Sequence, residues 1–120
     1  MSEDPTIDMQ AIDGLRELSP DAGNDFLREL IEIYLQDTPQ RMAELQDALN
    51  KKDLPSFTRA AHTIKGSSSN FGATKLTKLA HELEMQGKND NLSESPASFA
   101  KLNAEYALVA QTLSTIAKGA

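Results

Sequence analysis

The chain has 120 residues and a mass of 13.1 kDa, one domain's length and enough to bury a single core. Apolar residues make up 39% and charged residues 25%, a balance too apolar for a disordered chain, and the absence of cysteine excludes disulfides, thiolate metal sites and a cysteine nucleophile. Lys and Arg number 12 against 18 Asp and Glu, a net charge of −6 that disfavours nucleic-acid backbones and anionic membranes, and no tryptophan with only four Phe and two Tyr argues against a stacking platform for bases.

The stretch from Met1 to Pro5 is acidic, the opposite of a secretory leader. No apolar run approaches the ~18 residues that span a bilayer. The longest, Leu30 to Leu35, is broken by Glu32. These features predict a cytoplasmic protein with no membrane segment. A short amphipathic segment covers Ile7 to Leu15. Ser19 and Pro20 then read as a cap and first turn for a helix carrying Leu27, Leu30, Ile31 and Tyr34. Phe26, Ile33 and Leu35 widen that stripe, as if the helix were buried on more than one side. Asp37-Thr38-Pro39 reads as its end and as the start of a further helix with Met42, Leu45 and Leu49.

Asp53 is a natural cap for the next helix, about residues 54–71, whose stripe is Phe57, Ala60, Ala61 and Ile64. Gly72 interrupts it. Leu76, Leu79, Ala80 and Leu83 mark the following helix, with Gly87 as its expected stop. After a polar loop, Ser95-Pro96 should cap and open the last helix, with Phe99, Leu102, Tyr106, Val109, Leu113 and Ile116 on one face. The pattern predicts an all-α fold over residues 1–120, a single antiparallel four-helix bundle with an additional short N-terminal helix. The stripes are consumed within one bundle, so a monomer is expected.

A helix turns roughly 100° per residue, which puts His62 roughly 140° from Phe57 and so towards solvent. An exposed helical histidine is usually just a solvated side chain. Its neighbours argue for more. Gly66, one turn on, costs ~1 kcal/mol relative to alanine in a helix interior and clears space beside the imidazole. Lys65 can place an ammonium beside anything attached to the ring. Residues 57–88 hold five basic and two acidic side chains, a basic island in an acidic chain. It is too small and too poor in aromatics for nucleic acid. Neutral imidazole is nucleophilic, and phosphoryl transfer needs mainly positioning and charge stabilisation. No Gly-rich phosphate loop is present, so kinase or ATP-binding activity is not expected. No metal site is expected either: the Glu-x-x-His pairs of di-iron bundles are missing, since Arg59 and Lys78 stand three residues before His62 and His81.

Residues 61–68 read Ala-His-Thr-Ile-Lys-Gly-Ser-Ser, followed by Phe71-Gly72-Ala73, Leu76 and Leu83-Glu84. This run closely resembles the histidine-containing phosphotransfer (HPt) domain family, and the helix layout extends the resemblance to nearly the whole chain. The resemblance implies a relay protein. His62 would accept a phosphoryl group from an aspartyl phosphate on one receiver domain and pass it to another. The partners would be receiver domains of a hybrid histidine kinase and of response regulators, and the receiver would supply Mg²⁺. Lys65 matches the family's charge-stabilising lysine and Gly66 its clearance glycine. Ser67 and Ser68 match its small polar pair; by the wheel Ser67 faces nearer the bundle than the receiver, and Ser69 shares the outer face with His62. Glu84 stands where several members place a glutamine that bonds the imidazole, and Lys88 near a position that is often basic. Arg59, Lys75 and Met85 would belong to the receiver-docking surface. His81 is read as a surface residue with no role in transfer. The Met1 start and the lack of an appended receiver or kinase region suit a free-standing member. The alternative is a phosphorylation-inert helical adaptor that docks on receiver domains.

Overall fold

A computed structural model describes residues 6–18 and 24–119. They form five helices: α1 (Met9–Glu17), α2 (Asp25–Lys51), α3 (Leu54–Asn70), α4 (Thr74–Lys88) and α5 (Ser95–Gly119). The all-α expectation holds, with a bundle of four long helices and a short one before it. The proposed opening at Ser19-Pro20 lies outside the described residues.

The two helices expected to meet at Asp37-Thr38-Pro39 are one. α2 runs straight through Pro39. An interior proline loses one hydrogen bond and strains the preceding turn, at ~3 kcal/mol. Here the buried positions Leu27, Ile31, Tyr34, Thr38, Met42, Leu45 and Ala48 continue in helical register across the proline. Burying such side chains is worth roughly 1.5–3 kcal/mol each, so the seam outweighs the break. Pro39 itself is exposed, which leaves the orphaned carbonyl of the preceding turn within reach of water. The expected two-sided burial of this helix is also corrected: Ile33 lies in solvent.

Tight connections make sequential helices antiparallel. Lys52 takes a left-handed φ of 56° and closes α2. Asp53 caps α3 by accepting from the Ser56 amide at 3.3 Å. Gly72, with φ 68°, turns α3 into α4. A side chain there would be strained and would meet Asp8 at 2.8 Å, because the Asp8 amide donates to the Gly72 carbonyl at 2.8 Å and anchors the start of α1. Ser95 does not serve as the expected cap. Its hydroxyl donates to Gln86 Oε1 at 2.6 Å, and the Gln86 amide donates to Ser98 Oγ at 3.1 Å, which ties α5 to α4.

The core is one cluster threaded through all five helices, with Ile12, Leu45, Phe57, Leu83, Leu102 and Leu113 among its members. The most extensive packing is α3 on α4. Gly87 allows it. Although expected as a helix stop, it lies inside α4, where a Cβ would collide with Thr58 Oγ1 and lie 2.9 Å from Phe57 Cδ1. It is a close-packing glycine. Among the described residues, no helix is long and apolar enough to cross a membrane.

Candidate functional site

The core stripe of α3 (Phe57, Ala60, Ala61, Ile64, Ser68) turns His62 outward, and 65% of its side chain is exposed. On α4 the buried positions Leu76, Ala80, Leu83 and Gly87 face the bundle, and Glu84 sits beside Leu83 at the seam with α3. The Gly87 contact draws the two helices together, so the Glu84 side chain is only 2% exposed yet reaches the outer face.

A buried carboxylate needs partners, and Glu84 has three at close range. His62 Nδ1 lies 2.9 Å from Oε2, Lys88 Nζ lies 3.2 Å from Oε2, and Lys65 Nζ lies 2.6 Å from Oε1. His81 Nδ1 stands 3.9 Å from Oε1, beyond hydrogen-bond reach. Desolvation pushes the Glu84 pKa up. The contacts with Lys65, His62 and Lys88 outweigh it and hold the group at about 2. Glu84 is therefore an anion at neutral pH, able only to accept. Nδ1 of His62 must carry the proton between them, an assignment that follows from the hydrogen-bond network. In the neutral ring Nε2 then holds the lone pair and is the nucleophilic atom.

The structure thus brings together His62, Lys65, Glu84 and Lys88, which lie 3 to 26 residues apart in the sequence. Arg59 lines the same open hollow, together with Leu54, Thr58 and Gly87. Gly66 is on the His62 face, and a Cβ there would meet nothing within 4 Å. Its effect is therefore on whatever approaches from outside. Ser69 is exposed on that face. Ser67 is half-buried, its hydroxyl returned to the Thr63 carbonyl at 3.0 Å. Ser68 is buried in the bundle. It lies on the core stripe with its hydroxyl 2.7 Å from Tyr34 Oη, so it supports the site only by packing α3 on α2. Met85 and Lys75 are exposed on α4. Lys75 sits about 13 Å along the helix from Glu84, towards the end of α3 that holds Ser69.

Two features escaped sequence reading. One is the full set of partners around Glu84, which no local pattern signals. The other is an apolar groove where α1 meets α2 and α3, lined by Leu15, Leu18, Phe26, Ile33 and Phe71 and by Ser67 and Asn70 of α3. Leu18 and Ile33 are largely exposed there. The signal was the excess of apolar residues on α2 beyond one stripe. Among the described residues, no group of three or more His, Asp or Glu side chains is placed to hold a metal ion.

A four-helix bundle that displays an exposed histidine and a neighbouring lysine on one outer helix face fits a histidine phosphotransfer module. The sequence matches the Hpt domain family over residues 29–112, and the chain belongs to that family. It is 28% identical over 113 residues to Multistep phosphorelay regulator 1 of Schizosaccharomyces pombe, covering 92% of this chain. It is 30% identical over 94 residues to Phosphorelay intermediate protein rdeA of Dictyostelium discoideum, covering 78% of this chain. The chain spans 37% of the length of each of those two relatives. Its fold matches the crystal structure of histidine-containing phosphotransfer protein B (HptB) from Pseudomonas aeruginosa PAO1 with a TM-score of 0.89 and 26% identity, over 98% of this chain and 99% of that one.

Proposed function

We propose that this domain carries a phosphoryl group on His62 Nε2 between aspartyl phosphates of receiver domains in a multistep phosphorelay. The observation that carries the reading is the 2.9 Å contact between His62 Nδ1 and an ionised Glu84, which places the proton of a neutral ring on Nδ1 and leaves Nε2 as the free, exposed nitrogen. Lys65 and Lys88 supply positive charge beside the position a phosphoryl group would take. Gly66 leaves room for the partner's active site. The receiver brings Mg²⁺ and the remaining catalytic groups, so the domain needs no ATP site of its own. Arg59, Lys75, Met85 and Ser69 belong to the docking face, and the apolar groove beside Ser67 and Asn70 extends it. The domain acts as a cytoplasmic monomer.

The test is mass spectrometry after mixing with a phosphorylated receiver domain. The expected result is a gain of one HPO3 group on His62, labile in acid and stable in alkali. A domain that binds the receiver and takes up no phosphoryl group is instead the inert docking adaptor.

A further inference from the structure

Resting on the reading of His62 as phosphoacceptor, a phosphoryl group on Nε2 has to be held by this chain's own cations once the receiver and its Mg²⁺ have left. Such a group carries roughly two negative charges. Lys65 and Lys88 are already committed. Lys65 Nζ lies 2.6 Å from Glu84 Oε1 and Lys88 Nζ lies 3.2 Å from Oε2, so two ammonium groups share one buried carboxylate. These three side chains leave a single positive charge in excess.

Helical side chains lean towards the N-terminus of their helix. The open hollow beside His62 lies on that side. On α3 it is lined by Leu54, Pro55, Thr58 and Arg59, all before His62, and by no residue after it. Lys65, one turn beyond the ring, stands outside the hollow. Arg59 precedes His62 by three residues, the spacing that sets two helical side chains side by side, about 5–6 Å apart at Cβ. It is exposed. Among the described residues its guanidinium has no salt-bridge partner. It acts on Asp53 only at longer range, from the ridge between this hollow and the cleft of α2 and α3.

We propose that Arg59 binds the phosphoryl group of phosphorylated His62, closing over it from the N-terminal side of α3. In the loading step the Nε2 lone pair forms the P–N bond, the P–O bond breaks, and its electron pair stays on the receiver's carboxylate. The charge on the phosphoryl oxygens then falls to this chain. Arg59 supplies the second positive charge, and its planar fork can donate two parallel N–H bonds to two of those oxygens. Lys65 or Lys88 could turn to the phosphoryl group only by taking a partner from the buried Glu84 carboxylate, which is costly. Arg59 is thus a phosphoryl-binding residue of the loaded carrier, in addition to its place on the docking face.

The test uses the whole chain, loaded by a phosphorylated receiver domain, with the variants R59A and R59K. Arg59 is exposed, so both should fold. One readout is the equilibrium of radiolabel between receiver and domain, at concentrations below the dissociation constant of their complex. R59A should shift it about tenfold towards the receiver, the scale of one charge-assisted hydrogen bond. R59K keeps the charge but loses the fork, and should recover part of that shift. The other readout is ³¹P NMR of the phosphorylated domain with the receiver removed. The phosphoryl group should titrate at a higher pH in R59A than in wild type, because a bound cation favours its dianion. An unchanged equilibrium or an unchanged titration overturns the proposal. An equilibrium that holds while affinity for the unphosphorylated receiver falls also overturns it, and assigns Arg59 to a carboxylate of the receiver. Those results leave His62 as the carrier. Failure to find any phosphoryl group on His62 of the wild type overturns both readings.

Discussion

α3 carries two polar clusters on opposite faces. On the outer face His62 meets Glu84 of α4, with Lys65 and Lys88 completing a charged group open to solvent. On the inner face Ser68 meets Tyr34 of α2 at 2.7 Å, a neutral, buried pair, and the Tyr34 ring lies tilted against Phe71 with ring centroids 4.9 Å apart. Burial there pushes the Tyr34 phenol up to about 12, so it stays neutral at any working pH. The inner pair joins α3 to α2 through one hydrogen bond, and the outer cluster joins α3 to α4 through the contacts of Glu84 with His62 and Lys65. They differ in what an outside molecule can reach. The inner pair is closed off from solvent and serves the packing of α2 on α3. The outer cluster keeps one lone pair, Nε2, uncommitted, and that is what makes it chemistry rather than architecture.

Substitutions should separate the two. His62→Gln is expected to abolish phosphoryl uptake while leaving thermal stability within about 0.5 kcal/mol, since an exposed side chain with one contact contributes little to folding. Radiolabel transfer and a melting curve check both halves; a destabilised variant would mean the outer cluster is structural too. Lys65→Ala should slow transfer by about a hundredfold, the usual scale for one lost charge-stabilising group, and should leave the bundle folded. An unchanged rapid-quench transfer rate would remove Lys65 from the site. Ser68→Ala and Tyr34→Phe should each reverse the pattern. Either leaves one buried hydroxyl or one buried gap, at roughly 1–3 kcal/mol in urea unfolding, with transfer unaltered. The double variant should cost less than the two singles added, because both partners are then gone.

A further effect is in acid. The Glu84 pKa lies at about 2 in the folded chain against 4.5 ordinarily, so ionisation favours the folded state. That contribution is complete above about 4.5 and is lost as pH falls towards about 2. Glu84→Gln should flatten this limb of the stability profile and leave the profile above pH 6 parallel to wild type. A limb unchanged in the variant would assign the acid loss to other carboxylates.

Much of this was legible before the structure. Helical periodicity is a local property, set by which side chains fall on one face within a few turns, and it located α3, α4 and α5 to within a few residues. The outward direction of His62 follows from the same rotation, as does the clearance at Gly66. Pro39 shows the limit of local rules: a breaker by its own chemistry is overruled when apolar positions on both sides share one buried seam. Ser95 and Gly87 show another. Both are residues typical of helix ends, and both turned out to make contacts across the α4–α5 and α3–α4 interfaces.

From the sequence alone came the helical class, the single histidine face and the basic island around it, because each depends on composition or on spacing along one helix. Only the tertiary structure decided which charges Glu84 would hold. His62 and Glu84 stand 22 residues apart, and their contact exists because a glycine at position 87 lets α4 lie close against α3. That approach makes the carboxylate both buried and shared. A buried, shared carboxylate stays ionised, and an ionised carboxylate dictates which nitrogen of the imidazole is free.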